Sequence, residues 1–131
     1  MEIKKVLREK AKDAASKAYS PYSKAKVGSA IEMSDGSIYT GCNIENASYG
    51  GTICAERVAI LKAVSDQKMK IAKVYVYTKD GWPPCGLCRQ VMSEFAAKDM
   101  EVIMGDENGK EVTMKFTELL PLSFTPDHLI G

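Results

Sequence analysis

The chain has 131 residues, 45% of them apolar, which suits one ordinary domain with a packed core and leaves little room for a second. Eighteen basic against 17 acidic residues give a formal charge of +1 with no long run of like charge, which argues against a nucleic-acid arm or a disordered tail. The opening "MEIKKVLREKAKDAASKAY" is too charged for a signal peptide, and nowhere do about eighteen apolar residues run together, so a soluble cytoplasmic protein without a membrane segment is expected.

In chain order, Ile3, Val6, Leu7, Ala11, Ala14, Ala15 and Ala18 follow helical spacing, and "SPY" at 20–22 is expected to end that helix through its proline. The runs "KVGSAIEM" and "SIYTGCNI" flank the tight-turn sequence "SDG" and predict an antiparallel hairpin. Helical spacing returns from Cys54 to about Ser65 through Val58, Ile60, Leu61 and Val64, and "IAKVYVYT" then alternates like a strand. After "GWPP", a third helix is expected from about Cys85 to Ala97, followed by strand "EVIM", turn "DENGK", strand "EVTMKF" and a short "TELLP" helix. No repeat or low-complexity linker interrupts residues 1–131. The order predicts a single α/β domain with three α/β/α layers and a central mixed sheet.

Four cysteines, two of them in Cys-x-x-Cys, point in a reducing compartment to a metal or to catalysis more than to disulfides. If Cys54, Cys85 and Cys88 sit in the first turns of their helices, two positive helix ends converge on them and favour thiolate. Cys85 and Cys88, three apart, share one helix face, and Gly86 permits close backbone approach. Three thiolates leave one corner of a tetrahedral zinc open, which is the mark of a catalytic site. Glu56, two residues past Cys54, is near enough to serve as base there without being a ligand.

This "CAER…PCGLCRQV" arrangement, with a glutamate that is not a ligand, resembles that of the zinc nucleobase deaminases. The chain looks like the small three-cysteine cytidine deaminases almost end to end: "YSPYSKAKVGSAI" resembles their early loop and strand, "GCNIENASYG" their ribose-binding segment, and "ELLPLSFTPDHL" their C-terminal segment. The resemblance implies a cytidine-deaminase-like fold, one zinc per chain on Cys54, Cys85 and Cys88, and proton transfer by Glu56. It implies that Asn43 and Glu45 hold ribose hydroxyls and that Ala55 offers backbone groups to the pyrimidine. Arg57 and Arg89 would donate to the zinc-bound sulfurs, which suits a site with net negative charge. Tyr49 and Phe124 would help close the site, partly from neighbouring subunits, because such chains usually form homotetramers. The implied reaction is hydrolytic deamination of cytidine and deoxycytidine, a step of pyrimidine salvage.

Plainer readings stand beside these. Cys42 as a fourth ligand would make a closed structural zinc, but it falls inside a strand pattern and would leave Glu56 idle, so Cys42 is read as a small core side chain. A thioredoxin-like pair at "CGLC" leaves Cys54 and Glu56 unexplained. Without the resemblance Asn43 and Glu45 read equally well as a solvated strand end, and Tyr49 and Phe124 as core aromatics. The only histidine, His128, is given no role. Two departures concern the base end of the pocket: Ala25 stands where the family usually has a phenylalanine, and Trp82 and Pro83 replace a smaller, polar approach to Cys85. They point to a cytidine relative enlarged near the amino-bearing position as an alternative substrate, blasticidin-type or N-substituted.

Overall fold

The computed structural model describes residues 2–130. Helix α1 (Ile3–Ala15) precedes strands β1 (Gly28–Met33) and β2 (Ile38–Cys42). A 3-10 turn at Tyr49–Gly51 leads to α2 (Ala55–Ser65), β3 (Ile71–Tyr77), α3 (Gly86–Phe95), β4 (Ala96–Gly105), β5 (Glu111–Lys115), α4 (Phe116–Leu119) and α5 (Pro126–Ile130). The five strands form one mixed sheet in the order β2-β1-β3-β4-β5. Only β3 and β4 are parallel, joined by the α3 crossover; the other pairs are antiparallel. Among the described residues no helix is long and apolar enough to cross a membrane.

Strand alternation sorts the core into two layers. Ala30, Tyr75 and Ile103 turn to one face, where Leu7 and Ala11 of α1 cover them. Ile31, Val74, Val76, Val102 and Met104 turn to the other, against Ala59, Ile60 and Ala63 of α2 and Cys88 and Met92 of α3. The three-layer arrangement expected from the sequence is the one observed. On the α1 side the layers are tied at one polar point: Arg8 donates to the Tyr75 hydroxyl at 2.9 Å and to the Asp106 carbonyl at 2.8 Å, and Tyr75 donates to Glu111. Burial, first, and this hydrogen bond to Glu111 push the Tyr75 phenol well above its usual range.

Two glycines set how near the helices come to the sheet. A Cβ on Gly28 would lie 1.8 Å from the Ala11 carbonyl oxygen and 2.6 Å from the Ala15 nitrogen. One on Gly41 would lie 2.5 Å from the Ala55 oxygen and 2.6 Å from the Ala59 nitrogen. Alanines at 55, 59 and 63, one per turn, present a smooth stripe that lets α2 settle onto β2 at this distance.

Several boundaries differ from the sequence reading. Helix α1 stops at Ala15, well before Pro21, because Tyr19 is drawn into pairing with the chain after β2: its N–H donates to Asn43 O at 3.0 Å and its carbonyl accepts from Glu45 N at 2.8 Å. The third helix ends at Phe95, and the strand expected only at "EVIM" begins at Ala96, with a register shift between the Ile71 and Lys73 pairings and Asp99 at φ 63°. That bulge breaks the apolar alternation that marks a strand in sequence. The short α5 at Pro126–Ile130 was not expected. Cys42 is not core: it is half-buried, with its thiol 3.5 Å from the Lys17 carbonyl.

Gly28→Ala is expected to destabilise the fold by about 3 kcal/mol or to prevent folding, since backbone must move to admit the methyl. Gly50→Ala, with nothing within 4 Å of the new carbon, is expected to stay within about 0.5 kcal/mol of wild type. Urea denaturation of the two variants beside the parent measures the difference.

Candidate active site

Cys54 is the N-cap of α2 and Cys85 the N-cap of α3, while Cys88 is the third residue of α3. Both helices therefore aim their unpaired N–H groups and positive ends at one point, as their sequence positions predict. The Cys54 sulfur lies 3.6 Å from that of Cys85, which lies 3.4 Å from that of Cys88, and all three fall within 4.8 Å of one another. Sulfurs bound to zinc at about 2.3 Å in a tetrahedron stand about 3.8 Å apart, so the donor set fits the metal with little movement. Cys42 is not part of the cluster.

Two of the thiols are perturbed in opposite directions. The hydrogen bond from Cys88 pulls the Cys54 thiol down to about 5, against the cost of burial, with Arg57 and Cys85 adding to the effect. Cys88 is correspondingly held protonated, far above the ordinary thiol range, by that same bond and by burial. Arg57 Nη2 lies 3.7 Å from the Cys54 sulfur and 3.4 Å from the Thr52 carbonyl, and its Nε is buried without a hydrogen-bond partner among the described residues. A guanidinium with spare donors suits a negatively charged cluster. Glu56 is only 3% exposed, and its carboxyl is pushed up to about 7, chiefly by burial and further by the charge on Cys54.

A cavity of about 240 Å³ reaches this group. Cys54, Ala55, Glu56 and Cys85 line it together with Asn43 and Glu45, so most of the residues singled out in the sequence meet in one place. Asn43 is buried and already engaged: Oδ1 accepts from Val27 N at 2.9 Å and Nδ2 donates to Ala25 O at 2.8 Å, which leaves one amide hydrogen and one lone pair for a ligand. Glu45 accepts from Tyr22 N at 3.0 Å, from Ser23 N at 3.1 Å and from the Ser23 hydroxyl. Those bonds, the hydroxyl first, hold its carboxyl below the usual range.

Other expected residues lie elsewhere. Arg89 does not reach the sulfurs; its Nε donates to Pro84 O at 2.9 Å and its Nη1 to Leu119 O at 2.8 Å, so it braces the approach to Cys85 against the C-terminal segment. Tyr49 is 75% exposed and meets Tyr22 edge to face, 6.0 Å between centroids, outside the cavity. Phe124 is 54% exposed and stacks on His128 at 5.3 Å. Neither is a core aromatic. His128 has a structural part, its Nδ1 accepting from Thr125 N at 3.0 Å. Ala25 lines a neighbouring chamber and not this cavity. Thr78 is a wall residue that the sequence reading missed; its place just past the C-terminal end of β3, beside a parallel neighbour, is where such sheets bind ligands.

Residues 1–104 match the family described as Cytidine and deoxycytidylate deaminase zinc-binding region. The chain is 46% identical over 114 residues to a cytidine deaminase of Halalkalibacterium halodurans, covering 86% of each chain. It is 43% identical over 131 residues to one of Sporosarcina psychrophila, covering 98% of this chain and 96% of the other. The crystal structure of cytidine deaminase from Burkholderia pseudomallei superposes with a TM-score of 0.87 at 40% identity, over 92% of this chain and 98% of that one. That of Mycobacterium tuberculosis gives 0.81 at 33% identity, over 95% and 98%.

The two arginines are expected to separate in a metal assay. Arg57→Ala should weaken zinc affinity by about 10- to 100-fold in competition with a chelator, because it is the cation beside the sulfurs. Arg89→Ala should keep one zinc per chain and lower the melting temperature instead, since its bonds go to backbone carbonyls.

Proposed function

The chain belongs to the cytidine and deoxycytidylate deaminase zinc-binding family, and from that premise we propose that it is a zinc-dependent enzyme removing the amino group of cytidine and deoxycytidine hydrolytically. The carrying observation is the convergence of three thiols and one buried carboxyl at a cavity the size of a small ligand. Cys54, Cys85 and Cys88 would hold one zinc per chain, which would supply the Lewis acidity that makes a water nucleophilic at neutral pH.

The chain's own residues do the rest. Glu56, shielded from solvent, takes a proton from the attacking water and places it on the ring nitrogen beside the amino-bearing carbon. A second proton then passes through the same carboxyl to the departing nitrogen; a carbon–oxygen bond forms, the carbon–nitrogen bond breaks, and ammonia leaves. Ala55, at the first turn of α2, offers backbone groups to the pyrimidine edge. Asn43 and Glu45 orient the sugar through the hydrogen-bonding capacity their loop contacts leave free.

The same reading includes a homotetramer in which Phe124 and Tyr49 serve neighbouring sites. Their exposure outside the cavity supports it, as do the exposed Leu122, Leu129 and Ile130 of the C-terminal segment. We place the activity in cytoplasmic pyrimidine salvage, which four unpaired cysteines suit.

Glu56→Gln is expected to retain one zinc per chain and the parent's circular dichroism while losing about 10²- to 10⁴-fold in turnover, read as ammonia release from cytidine. Activity within about tenfold of the parent would remove Glu56 from the proton path. Sedimentation is expected to give a tetramer, and Phe124→Ala to lower activity with zinc content unchanged; a fully active monomer would contradict the shared-site reading.

A further inference from the structure

The cavity at the thiols adjoins a second, larger chamber of about 600 Å³, and the two share Thr78 and Trp82 as wall. This shared pair is built, not incidental: Trp82 N donates to the Thr78 hydroxyl at 2.7 Å, and the Thr78 side chain is buried. Trp82 stands three residues before Cys85 in the chain, and both line the thiol cavity. Trp82 as a residue is 51% exposed and offers a large apolar surface to both cavities.

The chamber's charge is one-sided. Lys12, Lys24, Lys26 and Lys79 line it against only Asp80 and Glu107, and none of the four lysines forms an ion pair among the described residues. Lys24 is held there by a specific local structure. Its backbone is in the left-handed region at φ 65°, its N–H donates to Ser20 O at 3.0 Å, and the preceding Ser23 is clamped by Glu45. A non-glycine residue in that conformation is kept only where its surroundings impose it. Next to it, Ala25 contributes one methyl to the wall and leaves the volume free.

We propose that this chain takes cytosine nucleosides whose base carries a carboxylate-bearing substituent, the base reacting in the thiol cavity while the carboxylate lies among the chamber's lysines. The inference rests on the deaminase reading above and names a substrate class for it. The substituent has two possible points of attachment near the reacting carbon. On the neighbouring ring carbon it stays with the product, and ammonia leaves. On the exocyclic nitrogen it leaves with that nitrogen as an amino acid. In both cases water supplies the oxygen and the protons, and the same carbon–nitrogen bond breaks.

The test compares zinc-loaded protein on cytidine, cytidine 5′-monophosphate, 5-carboxycytidine, N4-carboxymethylcytidine and the uncharged amides of the two acids, following uridine products, ammonia and glycine. Binding is read independently by quenching of the single tryptophan. At least one acid is expected to exceed its amide by about tenfold or more in kcat/KM, as a charge-assisted contact gives. A Lys24→Gln, Lys79→Gln double variant is expected to erase that preference and to leave cytidine turnover within about threefold. If cytidine is deaminated but neither acid is preferred over its amide, or if the lysine variant weakens all substrates alike or only cytidine 5′-monophosphate, the inference is overturned. No turnover of any nucleoside with zinc bound would count against the deaminase reading, and tryptophan quenching by the acids over the amides would then still decide whether the chamber binds them.

Discussion

Three sulfurs within 4.8 Å of one another cannot all be charged unless a cation stands between them, and the arrangement of the molecule follows from that repulsion. Two helix N-termini point their positive ends at the cluster, and the hydrogen bond from Cys88, with Arg57 and Cys85 adding to it, lowers the Cys54 thiol while Cys88 itself is held protonated. The remainder has to come from a divalent metal. Glu56 belongs to the same turn as Cys54, yet it is buried and lies outside the three-sulfur cluster.

Holding the sulfurs so close requires that the helices carrying them do not drift. On the α2 side this is achieved by removing side chains. Gly41 and the alanine stripe bring helix backbone against strand backbone, so the N-cap at Cys54 is located by contacts of a kind that cannot be compressed. On the α3 side the fixing is polar. Arg89 spans from the Pro84 carbonyl to Leu119, Gln90 donates to Phe124 O at 2.9 Å, and Ser93 meets Ser123 at 3.0 Å. The C-terminal segment is thus laced to the helix that carries Cys88.

What was legible in the sequence was what local chemistry determines. The "SDG" hairpin, the helix starts at Cys54 and Cys85, and the joint use of three cysteines and Glu56 follow from turn residues, periodicity and donor spacing. What was not legible depends on partners distant in the chain. The resemblance makes Arg89 a donor to sulfur, but the carbonyls that claim it include one 30 residues away. Helix α1 loses its last turn to a pairing between Tyr19 and the segment after β2, which no helical propensity reports. The start of β4 is hidden by a bulge at Asp99. Ala25 was placed by analogy beside the base, whereas its wall belongs to the adjoining chamber, a matter of how one loop is clamped by Glu45.

The single parallel pair in the sheet also dictates an order of assembly. The β1–β2 hairpin closes over a short turn, but Cys54 and Cys85 are 31 residues apart, and the α3 crossover cannot dock until β4 is available to pair beside β3. During synthesis the metal donors therefore meet only once β4 has been made. A chain arrested before β4 emerges carries three accessible thiols with no site to occupy, so the interval between translation and metal capture is the period in which oxidation can divert it.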